Sequence, residues 1–336
     1  MIDKIISGDV NSIVSYFSPE TFRDKNVLIT GGAGFIGSYL CETLVQLGAT
    51  VVCLDNFSTG LTENIDHLFS KKNFQLITGD VSKYENREKL DYILHFASRA
   101  SPDDYQLYPV ETLLANSQGS YRLLEQARKD DSIILFASSS EIYGNPEVVP
   151  TPEDYLGKVS SIGPRSCYVE GKKFSEALFM AYHRKYELDS RIIRIFNTYG
   201  PRLRGDGFYG RVLSRFILQA LGGKDLTVYG DGSQTRSFCY VTDLIQGILL
   251  AISNGKVNGE VINLGSPSEI TIMDSAMKLM EIVGRKLNIS FYPLPEDDPK
   301  RRCPEIRKVK ELLNWEPRVN LEEGLKKTFE WFNRHV

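Results

Sequence analysis

Tyr168 and Lys172 are separated by Val169, Glu170 and Gly171. On a helix, residues at that spacing share one face. A phenol titrating near ~10 is a poor base at neutral pH, but a neighbouring ammonium favours the phenolate and makes it usable. Such pairs arise by chance and usually sit on exposed faces, so their company decides. Here the company is Ser138-Ser139-Ser140-Glu141, which follows a short apolar run and sets hydroxyls and a carboxylate at the end of a strand. Together these groups could provide a base at the carboxyl end of a strand.

A second constellation lies near the start of the chain. Gly31-Gly32-Ala33-Gly34-Phe35-Ile36-Gly37 satisfies Gly-x-Gly-x-x-Gly at Gly32, Gly34 and Gly37, and an overlapping pattern at Gly31, Gly34 and Gly37. Glycines there let the chain turn tightly and let a pyrophosphate reach backbone N–H groups at a helix start. Asp55 ends the next apolar run, where a carboxylate grips a ribose 2′-hydroxyl and repels a 2′-phosphate, so NAD is expected rather than NADP. Asp80, after the third strand, is placed for the adenine edge. Ala97-Ser98, after the fourth, lies beside the expected nicotinamide path.

These groups need a frame that brings strand ends together. Short apolar runs at Asn26–Thr30, Thr50–Asp55, Phe74–Thr78, Tyr92–Ala97, Ile133–Ser138 and Arg191–Phe196 read as strands. Helices are expected from the glycine motif to about Leu47, over Leu113–Lys129 and over Tyr168–Tyr186. Alternating strands and helices imply an α/β fold, a Rossmann-type doubly wound parallel sheet, with a smaller C-terminal substrate-binding region. Residues 1–25 form an appendage whose Ile6, Val10, Ile13, Val14 and Phe17 recur at helical spacing despite Gly8, and it is expected to pack on the first domain. The NAD-binding domain spans 26–197, with 237–255 returning to it, and 198–336 mainly forms the substrate region. There Val212, Phe216, Ile217, Ala220 and Leu221 make one helix face, and Leu321, Leu325, Phe329 and Phe332 another.

Composition excludes several function classes. A formal charge of -3 with scattered basic residues argues against nucleic-acid or membrane-surface partners. Lys300-Arg301-Arg302 is the tightest basic cluster, and a run that short is ordinarily a solvated loop. The five cysteines are odd in number and form no Cys-x-x-Cys pair, which suits free thiols in a reducing compartment rather than a disulfide frame or a metal site. No apolar run approaches the ~20 residues of a membrane span, and cytoplasmic location is the expectation.

Taken together, Gly31–Gly37, Asp55, Ser139, Tyr168 and Lys172 resemble the extended short-chain dehydrogenase/reductase family, of the NAD-dependent epimerase/dehydratase type. The resemblance covers nearly all of the chain from residue 26. It implies that the tyrosine deprotonates the 4-hydroxyl of a nucleotide sugar while hydride passes from C4 to NAD. Expected cofactor contacts are Gly31, Gly34, Phe35, Ile36, Gly37, Asp55, Asn56, Phe57, Thr59, Gly60, Asp80, Val81, Phe96, Ala97, Ser98, Ala137, Tyr168 and Lys172. Phe196–Arg202 and Tyr229–Arg236 resemble the family's nucleotide-diphosphate clamp. This implies substrate contacts from Asn197, Arg211, Tyr229, Gln234 and Arg236, since arginine's planar fork suits phosphate oxygens.

Three segments are similar to the UDP-glucuronate decarboxylase branch of the family: Arg165–Tyr168 with Glu170–Lys172, Gly230–Val241 and Asp297–Ile306. Ser139 stands where that branch usually has threonine, which keeps a hydroxyl. Val169 stands where an acidic residue is usual. The implied substrate is a UDP-sugar. Glu141 would then assist at the ring, and Arg302 would orient the sugar carboxylate or help proton return. The implied product is UDP-xylose, formed through a 4-keto sugar. UDP-glucuronate (or UDP-glucose) 4-epimerase is the alternative, then a nucleotide-sugar 4,6-dehydratase, with a non-enzymatic NAD-binding sensor or scaffold last. The resemblance also implies a homodimer built on helices near Leu113–Lys129 and Tyr168–Tyr186.

Overall fold

The computed structural model describes residues 3–85, 88–206, 211–295 and 298–336. Strands β1 (Asn26–Thr30), β2 (Thr50–Asp55), β3 (Phe74–Thr78), β4 (Tyr92–His95), β5 (Ile133–Ser139) and β6 (Ser190–Ile195) join the strand Val261–Leu264 in one sheet. Its order is Val261–Leu264, β6, β5, β4, β1, β2, β3, and the pairs from β3 through β5 are parallel. Val27, Leu28, Ile29, Ile93, Leu94, Ile134, Leu135 and Phe136 are fully buried, as strands covered on both faces require. The order reverses between β1 and β4, which puts the ligand crevice at their carboxyl ends.

Helix α1 (Lys4–Val14) is capped by Asp3, whose carboxylate accepts from Ile5 N at 2.7 Å. Gly8 does not break it. The helix buries Ile6, Val10 and Ile13, and Asn11 accepts a 2.8 Å bond from Gln46 at the end of α2 (Phe35–Gln46).

At β4 and in the helix expected over Leu113–Lys129, polar side chains move the elements away from the sequence expectation. Strand β4 stops at His95 rather than Ala97: Phe96 N still reaches the Thr30 carbonyl at 3.1 Å, but the Ala97 N–H goes to Thr30 Oγ1 at 3.2 Å. After α3 (Pro102–Leu107), the expected helix Leu113–Lys129 is in fact α4 (Pro109–Leu114), a wider π-helical turn at Ala115–Gly119, and α5 (Ser120–Asp130). At that turn Asn116 Nδ2 donates to Thr112 O and to Ser98 Oγ, competing with the regular ladder. Helix α6 (Ser166–Tyr186) runs unbroken.

The chain divides into two compact units that do not follow sequence order. One comprises Met1–Ser139, Ser160–Arg194 and Ile245–Ile262; the other comprises Ser140–Val159, Ile195–Leu244 and Asn263–Val336. The second unit contains the helices Val212–Leu221, Ile272–Val283 and Leu321–His335. Among the described residues it also contains three small two-stranded sheets, in one of which Thr235–Ser237 pairs antiparallel with Glu269–Thr271. Its C-terminal part is held by Asp243, whose carboxylate accepts from Arg318 N and Val319 N while its carbonyl accepts from Trp315 Nε1.

Candidate active site

In the first unit the glycine turn joins β1 to α2. Gly31 has φ +73°, where a side chain is strained, and a Cβ on Gly37 would overlap the Gly31 carbonyl oxygen. Gly34 occupies the N-cap of α2 with no capping side chain, so the first N–H groups of the helix remain for an anion. Phe35 and Ile36 form the first turn of that helix.

Asp55 ends β2 almost fully buried. Its carboxylate accepts from Ala33 N at 2.9 Å and Phe57 N at 2.8 Å, fastening the glycine turn to the loop that follows β2. Burial raises its pKa, and the backbone bonds oppose that rise. A carboxylate offers about four acceptor positions, so two backbone bonds leave room for a ribose hydroxyl. Gly60 closes against this carboxylate, since a Cβ there would stand 2.9 Å from both oxygens. Asn56 braces the same loop by accepting from Ser58 N, and Thr59 lies between them. Asp80 accepts from both the N–H and the hydroxyl of Ser82, and Val81 packs beneath the π-helical turn against Gly119. Ser98 Oγ accepts from Asn116. The uncapped helix start, the cradle that a Cβ would fill and the buried carboxylate together suit a dinucleotide.

Tyr168 and Lys172 occupy consecutive turns of α6, both buried. The Tyr168 ring stacks on Tyr105, with centroids 5.1 Å apart and planes at 6°. Lys172 Nζ lies 5.6 Å from the Tyr168 ring centroid and 4.7 Å from that of Phe136, and it donates a 2.8 Å bond to the Ala137 carbonyl. Burial lowers its pKa to about 7, against a smaller opposing pull from Glu176. An ammonium this poorly solvated responds strongly to any anion formed beside it. Ser139 is the last residue of β5, and Ser138 keeps a buried hydroxyl with no hydrogen-bond partner among the described residues.

The second unit carries the other expected residues. Glu141 sits in a short 3-10 turn, and Arg302 Nη1 lies 3.8 Å from its Oε1, both side chains largely buried. Arg302 is therefore not a surface arginine. Of the two acidic residues just before the Lys300–Arg302 basic run, Asp298 pairs with Arg236 at 2.7 Å, and Asp297 lies outside the described residues, as does Gly210 beside Arg211. Gln234 Nε2 donates to the Tyr229 carbonyl at 2.7 Å. The Tyr229 ring meets Tyr292, while Arg215 lies over its face. Arg211 begins the helix Val212–Leu221 with φ +45° and faces Asp206 at 3.4 Å. The Asn197 carbonyl accepts from Cys239 N at 2.9 Å.

Residues 27–265 match the profile of the NAD dependent epimerase/dehydratase family. The chain belongs to that family. NAD is accordingly its cofactor. The chain is 47% identical over 312 residues to UDP-glucuronic acid decarboxylase 1 of Danio rerio, covering 93% of this chain and 73% of that protein. It is 46% identical over 314 residues to UDP-glucuronic acid decarboxylase 2 of Arabidopsis thaliana, covering 94% and 69%. Among solved structures it resembles the UDP-glucuronic acid 4-epimerase of Bacillus cereus, solved with UDP-glucuronic acid and NAD. The TM-score is 0.83 at 30% identity, over 93% of this chain and all of that one.

This family member also has site-supporting residues that sequence reasoning missed. Tyr105 packs against Tyr168 from a short separate helix, Pro102–Leu107, with no local signature. His95 is fully buried, bonds Thr30 Oγ1 through Nδ1 at 2.8 Å, and has its pKa lowered to about 3, chiefly by burial. Asn116 ties the π-helical turn to Ser98, and its carbonyl accepts from Ser175 on α6. Among the described residues no helix is long and apolar enough to cross a membrane.

Proposed function

We propose that the protein is a UDP-glucuronate decarboxylase that forms UDP-xylose. The observation carrying this reading is the 44–47% identity to decarboxylases of that name over about nine-tenths of the chain, against 30% to the 4-epimerase. Gly31, Gly34, Gly37 and the start of α2 would hold the cofactor's pyrophosphate, Asp55 a ribose hydroxyl, and Lys172 the nicotinamide ribose. Bound NAD would supply a reversible hydride acceptor for C4.

Tyr168 takes the proton of the sugar 4-hydroxyl, its phenolate favoured by the Lys172 ammonium, while Ser139 holds the 4-oxygen. Oxidised at C4, the sugar has its C5 carboxylate β to a carbonyl, which accepts the electron pair as carbon dioxide leaves. Fixed donors stabilise the resulting enolate. Arg302 supplies a fixed cation for the carboxylate and then for the enolate, and Glu141, 3.8 Å from it, holds that guanidinium and assists at the ring. Protonation at C5 and hydride return complete the product. Arg236 and Arg211 take the diphosphate, with Asn197, Tyr229 and Gln234 shaping its surroundings.

Carboxyl-labelled UDP-glucuronate tests the reading. Label should leave as carbon dioxide with UDP-xylose formed, and Arg302→Ala should still oxidise C4 but decarboxylate slowly. Full retention of label, with UDP-galacturonate as product, would establish the 4-epimerase instead.

The exposed apolar side chains Leu113, Leu114, Tyr121 and Phe174 support a homodimer formed through α4, α5 and α6, which sedimentation of the purified protein would reveal. Five buried free cysteines suit the cytoplasm.

A further inference from the structure

We propose that Asp298 is a positioning residue that aims the Arg236 guanidinium at the diphosphate of the substrate. The inference rests on reading Arg236 as a diphosphate ligand.

The backbone at Arg236 is held on both edges. One side of Thr235–Ser237 pairs with Glu269–Thr271. On the other, Thr235 N donates to Lys300 O at 3.0 Å and Ser237 N to Arg302 O at 3.3 Å. The side chain is long and rotamer-rich, so a rigid backbone does not by itself fix the fork. Two contacts do. Nη1 donates to Thr235 O and Nη2 to Asp298 Oδ2, both at 2.7 Å, with the Arg236 and Asp298 side chains only 10% and 7% exposed.

A carboxylate beside a phosphate-binding cation subtracts from its attraction for phosphate, and a buried ion pair adds little net stability. Geometry is what it contributes, because a guanidinium gripped at both terminal nitrogens presents its remaining donors in a set direction. The segment carrying Asp298 also carries Arg302, and it is secured by the Arg301–Glu269 ion pair and by Lys300 N donating to Asn145 Oδ1 at 3.2 Å. Asp298 thus places the diphosphate arginine from the same segment that presents the carboxylate arginine.

The NAD-loaded full-length protein would be titrated with UDP by calorimetry and assayed with UDP-glucuronate. Asp298→Ala should weaken UDP binding about tenfold, the scale of one charge-assisted hydrogen bond. It should raise KM similarly and change kcat far less. Asp298→Asn retains an acceptor for Nη2 and should restore affinity to within about threefold of wild type. Arg236→Met should weaken UDP at least as much as Asp298→Ala.

Unchanged or tighter UDP binding in Asp298→Ala, with Arg236→Met still weakened, would overturn the positioning role and leave Arg236 in place. A kcat loss as large as the KM rise would also overturn it, since that signals a displaced Arg302. Unchanged UDP binding in Arg236→Met would instead remove the reading on which the proposal stands.

Discussion

Replacing Lys172 with methionine should separate the catalytic value of this lysine from its cost to the fold. Nζ is buried against Phe136 and the Tyr168 ring, and desolvation takes its pKa from 10.5 to about 7. At roughly 1.4 kcal/mol for each tenfold change in proton affinity, that fall corresponds to about 5 kcal/mol. Between pH 7 and 10.5 the unfolded chain holds the proton that the native lysine has lost, so native stability rises with pH across that window. Below pH 7 both states are protonated and the whole penalty is present. Methionine removes the penalty but leaves the Ala137 carbonyl without this donor, a loss of about 1–3 kcal/mol.

The variant apoprotein should therefore be more stable than wild type by about 2–4 kcal/mol at pH 6 and less stable by about 0–2 kcal/mol near pH 10, where about 1 kcal/mol of the penalty remains. Urea denaturation of both proteins at pH 6, 8 and 10 measures the swing. A stability difference that stays constant with pH would refute the assignment of a depressed pKa to Lys172. Turnover should be lost in the variant at every pH, because Tyr168 then lacks its ammonium.

Tyr168→Phe should keep NAD binding and lose hydride transfer by roughly 10²–10⁴-fold, read as NADH absorbance after substrate is added. Asp55→Ala should weaken NAD and narrow its advantage over NADP in calorimetric titrations, because one change removes the ribose acceptor, the charge that repels a 2′-phosphate, and the acceptor for Ala33 N and Phe57 N. Gly37→Ala should lower the unfolding free energy in urea by about 1–3 kcal/mol and abolish NAD binding, since the new methyl group meets the Gly31 carbonyl and lies 2.8 Å from Gly32 Cα.

The parts of this protein legible from its sequence are those whose geometry is local. The glycine turn needs backbone conformations and close approaches that a short run of residues announces, and the spacing of Tyr168 and Lys172 places them on one face of any helix. The strands announced themselves because a sheet covered on both faces leaves near-continuous apolar runs, and alternation with helices then gives the parallel order. What only the tertiary structure decided depends on partners distant in the chain. Thr30 ends β4 early by bonding across the sheet, and Asn116 opens the helix into a wider turn by reaching Ser98 and Thr112. The lysine's depressed pKa comes from its burial at Phe136 and Ala137, which no i, i+4 pattern encodes. Arg302 reads from sequence as one of three basic residues beside two acidic ones. Folding sets it at Glu141 and gives Asp298 to Arg236, 62 residues earlier, because ion pairs form between charges that the backbone brings together and not between those adjacent in the chain.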